Sequence, residues 1–391
     1  LRIEQKTWSS RAGWRPTPPG ELSSAQWVLI FGSTEIMRSL AVFEDIRRAY
    51  PRAYLSGCST AGEICGSSVE EDTVVVTAVG FDKCRVKGRA FPAGRAADSR
   101  SLGERIAENA AEPGLAHLFI LSEGMRVNGP ELVEGLLNGL PAGVRVSGGF
   151  AGDGTRFKET LVMADAPASP DHVAAIGFYG ADLRVGTGSL GGWNFLGPER
   201  LITRGAGNDL YELDGQSALD LYKSYLGEQA QRLPAAGLLF PLSVRGPGEK
   251  TWNARTLLSV NELEKRMTFT GPVPQGHFAR FLRANADRLI DGATAAADAC
   301  RDEFKGAEPE LAVLISDVGR KMVLRERAEE EVQGARRVLG RRPVLTGFYA
   351  YGEISSFPGA AAARGRPGSS DGAAADALNN HTMAITTLGE R

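Results

Sequence analysis

At 391 residues the chain has room for two or three domains and a well-buried core. Its 42% hydrophobic and 24% charged residues are ordinary for a globular protein, and a net charge of −2 gives no basic field for nucleic acid or an anionic membrane. No apolar run approaches the roughly 20 residues of a membrane helix, and four cysteines (Cys58, Cys65, Cys84, Cys300) are too few for a disulfide framework and point to a reducing cytoplasm.

In chain order, residues 1–25 are polar and rich in proline, which predicts an N-terminal arm anchored by Trp8 and Trp14. Trp27–Phe31 then predicts a strand, Glu35–Tyr50 an amphipathic helix and Arg52–Leu55 a second strand. This unit ends in Ser56-Gly57-Cys58-Ser59-Thr60-Ala61-Gly62-Glu63. A second unit runs through His117–Leu121, Pro130–Leu140 and Val144–Val146 to Ser147-Gly148-Gly149-Phe150-Ala151-Gly152-Asp153. A third runs through Leu311–Ile315, Leu324–Leu339 and Pro343–Leu345 to Thr346-Gly347-Phe348-Tyr349-Ala350-Tyr351-Gly352-Glu353. Hydroxyl-Gly at the start and Gly-acid at the close, three times over, predicts an internal repeat.

Further strands follow each unit: Thr73–Gly80 with Arg85–Phe91, Val173–Tyr179 with Leu183–Leu190, and Met383–Leu388. The first two pairs are joined by short turns and predict hairpins. Between the second and third units, Ser217–Leu226 predicts a helix with Leu219, Tyr222 and Leu226 on one stripe, and Ala284–Ala299 predicts another. Gly359–Ala374, rich in Gly, Ala, Ser and Arg, predicts a loop. The fold class is therefore α/β, three related β-α-β units with added β-hairpins in a two-part chain, divided at 26–226 and 227–391.

Ligands of open α/β sheets collect beyond the carboxyl ends of the strands, where glycine permits close approach to the backbone. On that ground the three turns converge on a ligand site lined by Cys58, Ser59, Thr60, Glu63, Gly149, Asp153, Tyr349, Tyr351, Glu353 and Asn380. Strand alternation puts Tyr349 and Tyr351 on one face. The alternative is that each acid caps a local turn or helix. Catalysis would rest on Cys58 as a nucleophile, but no histidine is placed by spacing to activate it. P-loop, dinucleotide and HExxH signatures are absent from the sequence.

The Gly57–Ile64 motif resembles the FIST family of prokaryotic sensory domains, and the likeness extends through Gly148-Gly149, Ala151-Gly152-Asp153, Gly347–Ile354 and Leu378–Met383. It implies an N-terminal and a C-terminal sensory domain that bind a small molecule, such as an amino acid, and signal to a partner. For one branch it implies haem binding, nitric oxide sensing and action on a histidine kinase. His277 and His381 are the candidate iron ligands here. The closing motif departs from the family's usual Leu-His-Asn-Gln-Thr, with Asn379 in the His place and His381 in the Gln place. Asp317 stands where the family often has Cys.

Overall fold

The computed structural model describes residues 1–94, 98–249, 252–304, 306–355, 378–379 and 381–391. They form two compact units: one of Leu1–Leu190, Ile290–Lys321 and Glu326–Arg391, the other of Gly191–Leu289 with Met322–Arg325. The third β-α-β unit thus shares a body with the first two, and position 226/227 falls inside the second unit.

The strands preceding the second unit are β1 (Arg2–Ser9), β2 (Gly13–Arg15), β3 (Trp27–Gly32), β4 (Tyr54–Ser59), β5 (Glu63–Cys65), β6 (Ser68–Glu70), β7 (Val74–Gly80), β8 (Arg85–Pro92), β9 (Leu115–Ser122), β10 (Arg145–Phe150), β11 (Val162–Ala164), β12 (His172–Tyr179) and β13 (Leu183–Leu190). Helices α1 (Thr34–Met37), α2 (Leu40–Ala49), α3 (Ser99–Ala110) and α4 (Gly129–Gly139) lie among them.

The second unit contains β14 (Asn194–Ala206), β15 (Asp209–Leu213), β16 (Gln216–Ser217), α5 (Ala218–Leu226), β17 (Leu242–Arg245), β18 (Asn253–Arg255), β19 (Leu257–Asn261), β20 (Arg266–Phe269) and β21 (Phe278–Arg283). These strands form one sheet in the order β18-β17-β21-β14-β15-β20-β19, with β16 beside β15. The predicted stripe of Leu219, Tyr222 and Leu226 on α5 is buried in a core with Ile202, Met267, Phe269 and Phe281. Ser217 caps this helix by accepting the Asp220 N–H at 3.2 Å.

The chain continues through α6 (Ala286–Arg301), β22 (Leu311–Asp317), α7 (Val318–Leu324), α8 (Ala328–Leu339), β23 (Val344–Ala350), β24 (Gly352–Ser355), β25 (Leu378–Asn379) and β26 (Met383–Glu390). The first unit is built three times on one plan. Each repeat contributes two parallel strands and a third antiparallel one, as β4-β3-β7, β10-β9-β12 and β23-β22-β26. Strands β3, β9 and β22 are buried over nearly their whole length, which explains their unbroken apolar runs.

Neighbouring repeats complete each other's sheets. The strand after each repeat's second strand crosses to another sheet: β5 pairs with β23, β24 with β10, and β11 with β4. The predicted hairpins are corrected by the same exchange. Their segments are strands, but β8 pairs with β12 rather than β7, and β13 with β26 rather than β12. A turn of three residues permits a hairpin without requiring one, and here the outgoing strand satisfies its backbone on the next sheet. β1, in the predicted arm, closes the cycle by taking the corresponding place beside β7.

The inner faces share one core in which Phe31 and Phe348 lie 4.6 Å apart and Trp27 and Phe119 5.6 Å apart. On the outer face of the first sheet, Val42 and Ile46 of α2 pack at helical spacing. α3 and α4 bury Leu102, Ile106, Leu132 and Leu136 on the second.

Candidate functional site

Register fixes which residues of the three repeats correspond. Gly32, Ser122 and Ser316 each lie between a second-strand partner (Ser59, Phe150, Tyr349) and a third-strand partner (Val74, Val173, Met383). The motif glycines Gly57, Gly148 and Gly347 are therefore equivalent, and they sit inside strands. A Cβ there would stand 2.0, 1.8 and 1.8 Å from the carbonyl oxygens of Ile30, Ile120 and Leu314. Each glycine thus admits the neighbouring strand where a ligand was expected. The preceding hydroxyls are also spoken for: Trp27 Nε1 donates to Ser56 at 2.8 Å, His117 Nε2 lies 2.9 Å from Ser147, and Thr77 donates to Thr346 at 3.0 Å. Burial pushes His117 down to about 3, so its ring is neutral.

The three turns do converge. Ala61 N–H donates to Tyr349 O at 2.8 Å, Gly152 N–H to Ser59 O at 2.8 Å, and Tyr351 N–H to Phe150 O at 3.1 Å. These are equivalent bonds, and they close a backbone ring around the approximate threefold axis. Cys58 belongs to the core beside it, where burial, then the charge of Glu63, pushes its thiol well up. That is the reverse of what a nucleophilic cysteine needs. Ser59 Oγ accepts the Leu161 N–H at 2.8 Å.

The acids of the motif occupy different settings. Glu63 and Glu353 are equivalent, opposite Phe348 and Gly149; the third such position, opposite Cys58, is Val162. Asp153 lies in a longer connection, where it accepts N–H groups of Phe157, Lys158 and Glu159 at 2.8, 2.8 and 3.0 Å and the Tyr351 hydroxyl. Tyr351 stacks on Phe157 at 4.6 Å, whereas buried Tyr349 donates to Glu331 at 2.7 Å. The two tyrosines therefore do not share a face, because β23 ends at Ala350 and the chain turns at Tyr351 before β24.

Glu63 is satisfied on both oxygens, by the Thr60 hydroxyl at 2.5 Å and the Thr73 hydroxyl at 2.8 Å. Burial raises its carboxyl to about 7. Glu353 keeps the second contact, from Thr382 at 2.8 Å, Thr382 being the equivalent of Thr73. It lacks the first because Ala350 stands where Thr60 would be. Among the described residues Oε1 of Glu353 is buried with no hydrogen-bond partner. Burial, then the charge of Asp317, pushes this carboxyl well above its ordinary range.

The seams between sheets differ in the same way. Gln5, Gly88 and Thr187 are equivalent, paired with Thr77, Ile176 and Thr386. In one seam the Gln5 amide donates to Leu345 O at 2.9 Å and Thr77 Oγ1 at 3.2 Å, and its oxygen accepts from Cys65 at 3.4 Å. In the next the Tyr54 ring fills the place, 2.1 Å from where a Gly88 Cβ would be. The third seam, where β13 packs near β24, has the shorter Thr187. There the buried hydroxyls of Thr187 and Ser355, the latter equivalent to Cys65, have no hydrogen-bond partner among the described residues, like Glu353 Oε1. Sequence reasoning missed Thr187 and Ser355, whose signal lies in comparing swapped strands rather than motifs.

Behind Glu353 lies a buried ionic network. His381 Nδ1 is 3.1 Å from Asp317, and Arg320 binds Glu331 at 2.7 and 3.0 Å. Burial alone would raise the Asp317 carboxyl, but His381 and the Gly319 N–H hold it below its usual range. His381 is wholly buried against this carboxylate, and half-buried His277 lies in the other compact unit. An axial haem ligand needs an apolar pocket wide enough for the macrocycle; an imidazole engaged by Asp317 among charged groups does not fit that role. No group of three or more potential metal ligands occurs among the described residues. Asn380 and Gly359–Ala374 lie outside the described residues.

A family model described as the FIST N domain matches residues 26–216, and one described as the FIST C domain matches residues 218–356. No curated protein matches the chain. Among solved structures, the chain is similar to a cyanuric acid hydrolase from A. caulinodans at 13% identity, over 79% of this chain and 99% of that one, with a TM-score of 0.19. A likeness of that size carries no argument.

Proposed function

The chain belongs to the FIST family, whose domains are associated with small-ligand sensing in signal transduction, and from that premise we propose that it senses a small N–H-bearing molecule, such as an amino acid or primary amide, in the seam beside Glu353. The observation that carries this reading is Oε1 of Glu353, which has no hydrogen-bond partner among the described residues and whose equivalent in Glu63 is fully bonded. A buried polar group left unpaired costs about 1–3 kcal/mol, which a ligand that pairs it recovers. Thr187 supplies a hydroxyl where the sister seam holds the Gln5 carboxamide, and Ser355 one where it holds Cys65, so an amide or ammonium group would pair with these hydroxyls and the carboxyl.

No helix among the described residues is long and apolar enough to cross a membrane. The four cysteines are free thiols, which supports a reducing compartment such as the cytoplasm. A histidine kinase as the partner rests on the family resemblance alone.

Amino acids and small primary amides should be screened by the rise in melting temperature they cause. A ligand so found should bind Glu353→Gln about tenfold more weakly, because the Thr382 hydroxyl would keep the amide oxygen and turn the side-chain NH2 toward the ligand's own N–H. Glu63→Gln should bind it normally. Equal affinity for Glu353→Gln and the unsubstituted protein would overturn the assignment.

A further inference from the structure

The outer face of the second sheet carries a cavity of about 170 Å³, on the opposite side from the Glu353 seam. Comparing the repeats explains it. Equivalent outward positions on the third strands are Val76 and Ala78 in β7, Ile385 and Thr387 in β26, but only Ala175 and Gly177 in β12. The adjoining edge strands are also covered differently. Over β1, the 17–22 segment closes down: Lys6 donates to Thr17 and Glu21, and Glu4 accepts N–H groups of Gly20, Glu21 and Leu22. Over β13, α6 lies directly on the backbone, with Ala296 O 2.0 Å and Cys300 O 2.4 Å from where Cβ atoms of Gly188 and Gly186 would be. Over β8, Ile106, Asn109 and Ala110 of α3 line only one side, leaving the cavity beside the small residues of β12.

The floor is apolar, from Leu118, Ile106, Ala175 and Gly177, and the rim is charged. Lys87 is neutralised by Glu112 at 2.6 and 2.7 Å, and the Tyr179 hydroxyl donates to Ala110 O at 3.0 Å. Arg89, cross-strand partner of Ala175, is exposed and paired with no acid among the described residues. An unneutralised guanidinium therefore stands over an apolar floor.

We propose that this cavity binds a small organic acid with a flat apolar body, the carboxylate on Arg89 and the ring on Ala175 and Gly177. Guanidinium presents parallel N–H donors that match a carboxylate. Engineered apolar cavities of about 150 Å³ take up benzene, so the volume suits a single substituted ring.

The test is calorimetric titration of the full chain with benzoate, using benzamide as a neutral shape match. Saturable one-to-one benzoate binding is expected, with benzamide weaker. Arg89→Gln, an exposed change with no folding role, should weaken benzoate about tenfold and leave benzamide unchanged. Ala175→Ile, which copies Ile385, should fill the floor and abolish binding of both. Benzoate binding that is absent, or that survives either substitution, overturns the proposal.

Discussion

Replacing Arg320 with alanine should cost the fold about 3–5 kcal/mol, read as a lower urea midpoint with an unchanged slope. Arg320 and Glu331 are both fully buried, and the guanidinium meets Oε2 of Glu331 through Nη2 at 2.7 Å and Nε at 3.0 Å. The hydroxyls of Ser316 and Tyr349 donate to Oε1 of the same carboxylate at 2.9 and 2.7 Å. Without the cation those two hydroxyls remain, but they cannot balance a charge held away from water. Because the penalty comes from the stranded charge, Arg320→Met with Glu331→Gln, which keeps an acceptor for the two hydroxyls, should recover most of the loss. A double variant as unstable as Arg320→Ala would show that packing, rather than charge, sets the effect.

A methyl group at Gly347 should be at least as damaging. The added Cβ would sit 1.8 Å from the Leu314 carbonyl oxygen, far inside any contact that a side-chain rotation could relieve. The clash is between two parallel strands, and the carbonyl belongs to β22, which is buried along its length. Ordinary overpacking costs about 1–3 kcal/mol; forcing these two backbones apart should exceed that and send Gly347→Ala largely to the insoluble fraction. Gly154→Ala is the control. Its φ of +74° carries conformational strain but its Cβ meets nothing within 4 Å, so a loss of only about 1–2 kcal/mol is expected. Equal solubility and melting temperature for Gly347→Ala and the unsubstituted chain would contradict the close-approach account.

The repeat was legible because each second strand must carry a glycine at one level and a hydroxyl before it, a constraint that survives as Ser56-Gly57, Ser147-Gly148 and Thr346-Gly347. What those residues do was not legible, since the contact partner, a carbonyl on the neighbouring strand, leaves no mark in the local sequence. Strand segments were readable from apolar runs, while partners were not: β8 and β13 follow short turns yet pair with strands of the next repeat. Predicted site residues fared unevenly for similar reasons. Glu63 and Glu353 share a motif and a place in the fold, but their difference arises from Thr60 against Ala350 and becomes meaningful only once the repeats are superimposed by register. Asp153 looks like a third copy in sequence, yet it organises a longer connection through three backbone N–H groups. The pairing of His381 with Asp317 joins residues 64 positions apart and had no local signal.

The proposed ligand position is the seam between β24 and β13, whose sister seam is filled by its own Gln5. Thr187→Gln tests it by supplying the missing carboxamide from within. Calorimetric titration of this variant, with the amide or amino acid that stabilises the unsubstituted protein, should show binding abolished and the melting temperature unchanged or raised. Undiminished binding to a folded Thr187→Gln protein would mean that the ligand sits elsewhere, and the assignment to Glu353, Ser355 and Thr187 would fall.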